Sequence, residues 1–298
     1  MDIQQIKKEY FGQIDSLDLD LIISHVIKKP REFVLAHPEK TLSKNQETKI
    51  KRFIKRRIKN EPLAYILGHK EFYGLDFLVD KSTLIPRPET ELLVELVLSS
   101  VNSQQSTEKN NFSVIDVGTG SGNIIVSIAK KMTNDQSLMT DTNYFATDIS
   151  KEALRIARKN ISKHELKNKI KVIHSSLLDF IFENKNYELK NKNLIIIANL
   201  PYLSEKIYSA TDPTVRNFEP RSALLSEREG LAHYEKLLKQ IKTLAESKNH
   251  KLKTISYSEI SPEQKKFLSG MIKNILPAAK SRFFKDLSGR WRICRLEI

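Results

Sequence analysis

Two short segments of this 298-residue chain carry residue types that could bind a ligand or do chemistry. The first is a glycine-rich turn between an apolar run at 113–117 and a second run with helical spacing, and it consists of Gly118, Thr119, Gly120, Ser121 and Gly122. Glycine accepts positive φ and lets a ligand approach the backbone closely, so the turn predicts a ligand-binding loop between a strand and a helix. Asn123 stands where the dinucleotide-binding pattern needs its third glycine, so the turn does not match that pattern. No Gly-Lys-Ser/Thr follows the turn, which excludes a P-loop.

Two acidic residues flank this turn and indicate what it binds. Asp116 lies at the end of the preceding predicted strand, and Asp148 follows the next one. A carboxylate beside the loop suits a cationic ligand better than a pyrophosphate, and S-adenosylmethionine carries both an ammonium and a sulfonium group. Asp148 could accept both ribose hydroxyls, a role that nicotinamide enzymes share, or could cap the next helix, although Ser150 is available for that. We therefore expect an S-adenosylmethionine-dependent methyltransferase.

The second segment is a tetrapeptide that directly follows the apolar run 194–198 and consists of Asn199, Leu200, Pro201 and Tyr202. It resembles the (N/D)-P-P-(Y/F) motif of methyltransferases that modify a planar nitrogen, whose delocalised lone pair makes it a poor nucleophile. The Asn199 side-chain oxygen and the Leu200 carbonyl can accept the two hydrogens of such an NH2 group and so direct its lone pair toward the methyl group. Pro201 holds residue 200 extended, and Tyr202 is expected to pack against the planar group. These four are the predicted catalytic and substrate-binding residues.

Leucine at position 200 departs from the usual proline of this motif. The carbonyl is retained, but Asn199 loses the restraint that a following proline imposes on its backbone. The sequence Asn-Leu-Pro-Tyr is typical of ribosomal RNA adenine dimethyltransferases. The tetrapeptide by itself therefore leaves both a glutamine amide and an adenine amine open as substrates.

Alternating strands and helices are predicted to position both segments. The candidate strands are 113–117, 144–147, 170–174, 194–198, 254–258 and 291–297, and the candidate helices include 121–132, 151–162, 230–246 and 262–274. This alternation predicts an α/β fold with a doubly wound parallel sheet that binds ligands at the carboxyl ends of its strands. Together with the glycine turn, it leads us to expect the Rossmann-like fold of a class I methyltransferase. Asn- and Lys-rich stretches at 102–111, 133–143 and 184–193 are expected to be solvated loops.

The residues before this region indicate a separate domain. Apolar residues recur at helical spacing, and Ser43 with Gln46 predicts a capping box at the start of one helix. The predicted domains are an N-terminal helical bundle at 1–62 that docks the substrate, a hairpin linker at 63–88 and a methyltransferase domain at 89–298. The polar face of the capped helix carries Arg52, Lys55 and Arg56, and it could dock an acidic partner, although such a face is usually only solvated.

Composition sets limits on the other properties of the chain. The 50 Lys and Arg residues against 36 Asp and Glu give a net charge of +14, which could attract nucleic acid but is scattered along a sequence rich in Lys, Asn and Ile. No apolar run has the roughly 18 residues of a membrane span, and the polar N-terminus lacks the apolar region of a signal peptide. Because the chain has one cysteine and no cysteine–histidine cluster, we expect no internal disulfide and no metal site. We expect a cytoplasmic protein.

Segments outside the two sites resemble the release factor glutamine methyltransferase family nearly end to end from residue 61. These segments are Glu-Pro-Leu-Ala-Tyr-Ile-Leu-Gly at 61–68, Glu-Phe-Tyr-Gly at 71–74, Leu-Ile-Pro-Arg-Pro-Glu-Thr-Glu at 84–91, Phe-Glu-Pro-Arg-Ser-Ala-Leu at 218–224 and Gly-Leu-Ala-His-Tyr at 230–234. The glycine turn begins only at Gly118, whereas ribosomal RNA dimethyltransferases begin close to theirs. The resemblance therefore favours glutamine over adenine.

The resemblance implies a reaction and a set of binding residues. A methyl group passes from S-adenosylmethionine to the side-chain amide nitrogen (N5) of the glutamine in the Gly-Gly-Gln loop of class-1 release factors. The glycine turn, Asp148 and Asn199 are implied to hold the cofactor, and residues 199–202 to line the glutamine pocket. Leu177 stands where the family has a tryptophan, so aliphatic packing would replace adenine stacking. The family's Glu-hydrophobic-Gly motif is altered at 259–261, which we expect to affect the sheet edge and not the chemistry.

Three functions follow from these observations. The protein glutamine N5-methyltransferase is the main hypothesis, and an adenine N6-methyltransferase acting on RNA or DNA, favoured by the charge and by Leu200, is the alternative. A ribosome-associated binding module with a vestigial cofactor fold would show damage at the turn or at Asn199, and neither is damaged. The expected partners are class-1 release factors, with transient proximity to ribosomes but neither stable nucleic-acid nor membrane binding. Segment 86–91 is expected to reach the cofactor or the domain hinge, unless Arg87 and Glu89 only form an ion pair.

Overall fold

The computed structural model of the chain describes residues 1–103, 112–134, 142–183, 193–247 and 253–298. They form two compact units, one of Met1–His69 with Asp212–Phe218 and one of Lys70–Thr211 with Glu219–Ile298. Each unit has an apolar core of its own. The predicted solvated loops at 102–111, 133–143 and 184–193 lie largely outside the described residues.

The first unit is helical. Its helices are α1 (Ile3–Glu9), α2 (Ser16–Ile27), α3 (Arg31–Ala36), α4 (Lys44–Ile58), α5 (Leu63–Leu67) and, much later in the chain, α11 (Pro213–Phe218). The predicted capping box of α4 is confirmed, because the Ser43 hydroxyl accepts from the Gln46 backbone and the Gln46 side chain accepts from the Ser43 backbone. Ile50 and Ile54 then lie one turn apart on the buried face of α4.

The polar face of α4 is partly neutralised by acidic residues of the same unit. Arg56 donates from Nε to a carboxylate oxygen of Glu61 at 2.7 Å and also contacts the Tyr65 carbonyl. Arg52 and Lys55 are exposed and form no ion pair with the residues that the structure describes. Of the three cations predicted to dock a partner, only Arg52 and Lys55 are therefore available, since Arg56 is bound within its own unit.

The sheets follow in chain order. The strands β1 (His69–Phe72) and β2 (Leu75–Leu78) form a two-stranded sheet. The strands of the large sheet are β3 (Phe112–Val117), β4 (Asn143–Asp148), β5 (Ile170–His174), β6 (Asn193–Ala198), β7 (Lys253–Glu259), β8 (Lys280–Lys285) and β9 (Trp291–Glu297). Their order is β5-β4-β3-β6-β7-β9-β8. The six predicted strands are thus present, each within one residue of its expected bounds.

The doubly wound α/β fold is confirmed, with an antiparallel addition. The strands β3 to β7 pair in parallel, whereas β9 is antiparallel to both β7 and β8. The order reverses between β3 and β6, because the chain moves outward from β3 through β4 to β5 and then returns to the other side of β3. Ligands of such sheets bind at this switch point, beyond the carboxyl ends of the strands.

Sequence pattern alone does not predict β8. Lys280, Arg282 and Lys285 are exposed, and the two phenylalanines between them are only half-buried. A strand at the edge of a sheet shows no strong apolar alternation when solvent reaches it from the side, and lysine is common there. Pairing with β9 through the backbone, rather than burial of side chains, therefore defines this strand.

Helices cover both faces of the large sheet. The longer ones are α6 (Glu91–Ser103), α7 (Asn123–Asn134), α8 (Lys151–Lys163), α13 (Ala232–Glu246) and α14 (Lys265–Ile275), and the shorter ones are α9 (Asp179–Glu183), α10 (Glu205–Ser209) and α12 (Glu227–Gly230), with 3-10 turns at Pro88–Thr90, Arg221–Ala223 and Pro262–Gln264. Ile195 and Ile197 of β6 belong to the core under α6 and α7, whereas Leu194 and Ile196 belong to the core under α13 and α14. This alternation, imposed by the two-residue period of a strand, requires apolar residues throughout β6.

A buried amide joins β2 to the glycine turn. Asn160 of α8 is fully buried. Its Nδ2 donates to the Leu78 carbonyl at 2.9 Å and to the Ser121 carbonyl at 2.8 Å, and its Oδ1 accepts from the Leu78 N–H at 2.8 Å. Both amide hydrogens and the oxygen are used, so one side chain satisfies backbone groups of two segments that are far apart in sequence.

Replacement of Asn160 by alanine is expected to destabilise the protein by about 2–4 kcal/mol, because it leaves buried backbone groups of Leu78 and Ser121 without partners. Urea unfolding followed by circular dichroism measures this loss. Asn274→Ala, which alters an exposed asparagine of α14 in the same unit, is the control and should change the free energy of unfolding by less than about 0.5 kcal/mol. Equal losses in the two variants would contradict the assigned role.

Candidate active site

A cavity of about 390 Å³ lies within the second unit at the carboxyl ends of β3, β4, β5 and β6. This volume is in the range of small-molecule sites. The predicted site residues that line it are Gly118, Thr119, Gly120, Ser121, Asp148, Leu177, Asn199, Leu200 and Pro201. Asp116, Gly122 and Tyr202 do not line it. The structure therefore brings most of the predicted cofactor and substrate residues to one cavity, and places three of them behind its wall.

The glycine turn is held by Asp148 and packs against the tetrapeptide. The Gly120 N–H donates to one carboxylate oxygen of Asp148 at 2.9 Å, and the Ser150 N–H donates to the other at 2.8 Å. Burial raises the pKa of Asp148, and these backbone hydrogen bonds oppose that rise. Gly118 has a φ of +72°, and a Cβ there would lie 3.0 Å from Cδ2 of Leu200. The positive φ therefore favours glycine at 118, and the Leu200 side chain would have to shift to accept a larger residue there.

Ser150, and not Asp148, caps the helix that follows. The Ser150 hydroxyl accepts from the Ala153 N–H at 3.1 Å at the start of α8. The carboxylate of Asp148 is thus directed to the cavity wall and to the glycine turn, rather than to the helix.

Asp116 lies beneath the turn. It is fully buried, and one of its carboxylate oxygens accepts from the Thr119 hydroxyl at 2.6 Å. Burial raises the pKa of Asp116 to about 7. Any effect of Asp116 on a ligand in the cavity would therefore act through its charge, from under the turn, and not through direct contact.

The acceptors that the tetrapeptide was expected to offer are free. Asn199 uses its Nδ2 as a donor to the Thr90 hydroxyl at 3.3 Å. Neither the Asn199 Oδ1 nor the Leu200 carbonyl accepts a hydrogen bond from the part of the chain that the structure describes. Both residues line the cavity. The two acceptors needed to hold a planar NH2 group are therefore present next to the glycine turn.

Leucine at 200 is accommodated by a tyrosine hydroxyl. The Leu200 N–H, which a proline would lack, donates to the Tyr234 hydroxyl at 3.3 Å. Tyr234 in turn donates to the backbone carbonyl of Glu259. Leu200 is only 4% exposed, so its N–H would otherwise be buried without a partner. Leu200 is thus fixed by packing on one side and by a hydrogen bond on the other, which replaces the restraint of the missing proline.

Tyr202 is held from behind the cavity wall. Its hydroxyl donates to a carboxylate oxygen of Glu259 at 3.2 Å, and its carbonyl accepts from Nε2 of Gln264 at 2.8 Å. Gly230, with a φ of +82°, approaches so closely that a Cβ there would lie 2.0 Å from the Tyr202 carbonyl oxygen. Burial raises the pKa of the Tyr202 phenol. Three separate segments therefore determine the position of this one residue.

Glu259 belongs to the site and not to the edge of the sheet. β7, which Glu259 ends, lies between β6 and β9. The expectation that the altered 259–261 segment concerns only a sheet edge is therefore wrong. The carboxylate is 2% exposed and accepts from the hydroxyls of Tyr202 and Thr90. Sequence reasoning missed Thr90, Tyr234 and Glu259 as site residues. Thr90 and Tyr234 lie in segments that resemble the family, whereas Glu259 begins the segment that departs from its motif.

A second buried carboxylate holds the segment before α6 at the cavity. Arg87, which lines the cavity, pairs with Glu219 and not with Glu89 as the sequence suggested. The side chain of Glu219 is 1% exposed and also accepts from the Ile85 N–H at 3.1 Å. A charge buried this deeply needs such partners, so the pair ties residues 85–87 to the segment that follows α11.

The cavity wall also includes polar residues that the sequence analysis did not single out. His233 and Lys236 of α13 lie there. The Ser226 hydroxyl and His233 Nδ1 are 2.8 Å apart, and Nζ of Lys236 donates to the Ser176 hydroxyl at 2.9 Å. Burial lowers the pKa of His233. Their signal in the sequence was the Gly-Leu-Ala-His-Tyr segment, which places a histidine on the first turn of α13.

Two further features are absent from the described residues. Within them, no helix is both long and apolar enough to cross a membrane. No cluster of His, Cys, Asp and Glu in these same ranges could hold a metal ion.

The fold and the cavity together define a Rossmann-like methyltransferase domain. A family model described as a methyltransferase domain matches residues 108–276, and one described as the PrmC N-terminal domain matches residues 6–68. The release factor glutamine methyltransferase of Buchnera aphidicola subsp. Schizaphis graminum is 36% identical over 235 residues, which cover 79% of this chain and 77% of that protein. The protein of the same description from Bacillus anthracis is 29% identical, with 94% and 91% covered. The chain belongs to the release factor glutamine methyltransferase family.

Longer relatives and a solved structure are also similar to this chain. The bifunctional methyltransferase of Rickettsia bellii is 33% identical over 276 residues, which cover 85% of this chain but 47% of that protein. The chain thus spans about half the length of the bifunctional relatives that it matches. The hMettl16 catalytic domain in complex with a MAT2A 3′UTR hairpin superposes with a TM-score of 0.54 at 14% identity, covering 86% of this chain and 82% of that one. At this identity the likeness shows the fold alone.

Tyr234→Phe is expected to destabilise the protein by about 1–3 kcal/mol, in part because it leaves the buried Leu200 N–H without an acceptor. In a Leu200→Pro background there is no N–H to leave unpaired, so the same replacement should cost at least about 1 kcal/mol less. Urea unfolding of the four proteins of this double-mutant cycle measures the coupling.

Tyr257→Phe, which also removes a fully buried hydroxyl but one bonded to Ser100 and Arg295, serves as the control. Its cost should be the same in both backgrounds. If Tyr234→Phe costs equally with leucine and with proline at 200, the N–H does not depend on Tyr234.

Proposed function

We propose that the protein transfers the methyl group of S-adenosylmethionine to the side-chain amide nitrogen of the glutamine in the Gly-Gly-Gln loop of class-1 release factors. The observation that carries this proposal is the pair of free acceptors, Asn199 Oδ1 and the Leu200 carbonyl, on a cavity shared with the glycine turn. Family membership supports the choice of substrate, because the relatives are named for glutamine methylation of release factors. Such a reaction would take place in the cytoplasm, with transient proximity to ribosomes.

The residues of the cavity suit S-adenosylmethionine. The carboxylate of Asp148 is held by two backbone N–H groups and keeps lone pairs for ribose hydroxyls. Leu177, which is 8% exposed, provides an aliphatic contact for an adenine ring. When Asp116 is ionised, its negative charge beneath the turn favours a cation in the cavity. When bound, this cofactor supplies an electrophilic methyl group on its sulfonium.

The residues of the chain orient the amide for attack. Asn199 Oδ1 and the Leu200 carbonyl accept the two hydrogens of the glutamine NH2 group, which fixes the nitrogen and increases its electron density. The nitrogen then forms a bond to the methyl carbon while the carbon–sulfur bond breaks and its electron pair passes to sulfur. The amide nitrogen afterwards loses one proton to water. The contribution of the protein is positioning and electrostatic stabilisation, and no strong general base is required.

Leucine at 200 does not by itself indicate an adenine substrate. Its N–H bonds to Tyr234 and its side chain packs against Gly118, so local structure accounts for the residue. Because an adenine amine is the alternative methyl acceptor, RNA is the competing substrate to include in an assay of the proposed function.

Asn199→Ala is expected to lower kcat at least about 100-fold, because it removes one of the two acceptors for the amide hydrogens. The assay follows labelled methyl transfer from S-adenosylmethionine to a purified release factor. Asn193→Ala, at the opposite end of β6, is the control and should retain activity. Label on RNA, or on a release factor whose loop glutamine is replaced by alanine, would refute the proposed substrate.

The helical unit is proposed to dock the release factor through Arg52 and Lys55. Arg52→Glu combined with Lys55→Glu should raise KM for a whole release factor about 3- to 10-fold and leave the affinity for S-adenosylmethionine unchanged. Lys8→Glu combined with Lys40→Glu makes the same change in net charge at exposed positions outside α4. Equal increases of KM in both double variants would mean that only the overall charge matters.

A further inference from the structure

We propose, on the basis of the proposed function, that Glu259 is a positioning residue that acts through Thr90 to decide which end of the Asn199 amide faces the substrate. Glu259 touches neither substrate nor cofactor in this scheme. Its role is to leave the Asn199 oxygen, and not the NH2 group, directed at the glutamine amide.

Three hydrogen-bonding groups form a chain at the wall of the cavity. The Thr90 hydroxyl lies 2.7 Å from Oε2 of Glu259, and Nδ2 of Asn199 lies 3.3 Å from the same hydroxyl. Thr90 and Glu259 are each 2% exposed, so water does not compete for these bonds. Thr90 and Asn199 both line the cavity, and Asn199 is the less buried of the two.

The directions of these hydrogen bonds follow from the number of hydrogens available. A carboxylate can only accept, so the single hydrogen of the Thr90 hydroxyl goes to Glu259. The hydroxyl can then only accept from Asn199, which requires the NH2 end of the amide to face Thr90. The Asn199 oxygen is left for the cavity.

Loss of the carboxylate would remove this constraint. The Thr90 hydroxyl could then donate to the Asn199 oxygen, and the amide could rotate by half a turn. The cavity would face two N–H donors, and the NH2 group of a glutamine substrate needs acceptors. Contacts of the release factor that are remote from its glutamine would be preserved, whereas alignment of the reacting nitrogen would be lost.

Burial and hydrogen bonding act in opposite directions on Glu259, and its pKa is raised overall. Burial raises its pKa, and the hydroxyls of Thr90 and Tyr202 and the charge of Arg292 oppose that rise, while Glu89 adds to it. The Tyr202 hydroxyl donates to Oε1 at 3.2 Å, so each carboxylate oxygen has a donor. A buried carboxylate with both oxygens hydrogen-bonded is suited to act as a fixed acceptor.

Glu259 also holds the remainder of the tetrapeptide. Its backbone carbonyl accepts from Tyr234, which receives the Leu200 N–H, and its carboxylate accepts from Tyr202. The register of the sheet explains this reach. Ala198 at the end of β6 pairs with Ser258 of β7. The residues that follow this pair are Asn199, just beyond β6, and Glu259, the last residue of β7.

The test compares variants with and without a hydroxyl group at position 90. Thr90→Val should lower kcat about 10- to 100-fold, while KM for the release factor and the affinity for S-adenosylmethionine stay within about twofold. Thr90→Ser, which retains the hydroxyl, should keep kcat within about threefold of the wild type. Thr254→Val, at the other end of β7, is the control for loss of a buried threonine hydroxyl and should have wild-type kcat.

Substitutions of Glu259 separate positioning from proton transfer. Glu259→Gln keeps an oxygen that can accept from Thr90 while its NH2 group faces Tyr202, so kcat should fall by no more than about fivefold. Glu259→Met removes the acceptor, and kcat should fall as far as in Thr90→Val. The combination of Glu259→Met with Thr90→Val should be no worse than either alone, because the residues act as one unit.

The outcomes distinguish this inference from the proposed function. Absence of methyl transfer by the wild-type protein to any release factor would refute the proposed function. If the wild type is active and Thr90→Val keeps its full kcat, or Thr90→Ser is as impaired as Thr90→Val, only the positioning role is refuted. Equal impairment of Glu259→Gln and Glu259→Met would also refute it, and if Glu259→Met fails to fold, the Thr90 pair decides the question.

Discussion

The buried carboxylate of Glu259 is the constraint on which the geometry of the site depends. A charge removed from water is costly unless hydrogen bonds compensate it, and here the donors are the hydroxyls of Thr90 and Tyr202. These hydroxyls come from the 3-10 turn before α6 and from the tetrapeptide, so satisfying one charge aligns two segments with the end of β7. The free oxygen of Asn199 follows from this arrangement, because Thr90 has no hydrogen left to offer it.

The second constraint is the order of the strands. The glycine turn follows β3 and the tetrapeptide follows β6, and these strands are neighbours at the point where the sheet order reverses. A group held by the turn and a group held by the tetrapeptide are therefore adjacent. The contact between Gly118 and Leu200 shows how closely the two segments pack. A methyl donor and a nucleophile need this proximity more than they need a proton acceptor.

Local sequence predicted the sheet and the glycine turn well. It predicted poorly the buried residues that hold the site residues in position. The strand β6 is a continuous apolar run from Leu194 to Ala198, β3 is mostly apolar, and the turn has a residue pattern of its own. These elements could therefore be found without knowledge of their partners. Thr90 and Glu259 are 169 residues apart, and no local pattern links them. The same limit explains Arg87, since the nearby Glu89 was the obvious candidate and the actual partner, Glu219, is 132 residues away. Buried pairs across the sheet become visible only when the strand order is known.

The edge strand β8 has a consequence for how copies of the protein meet. An edge presents unpaired backbone N–H and C=O groups that can recruit a strand of another molecule. Lys280, Arg282 and Lys285 are exposed along this edge, with the guanidinium of Arg282 lying 5.0 Å from the ring centre of Phe284. Two such edges brought together would place cations opposite one another, which opposes pairing. Part of the +14 charge of the chain thus protects the sheet from self-association, and needs no acidic partner to explain it.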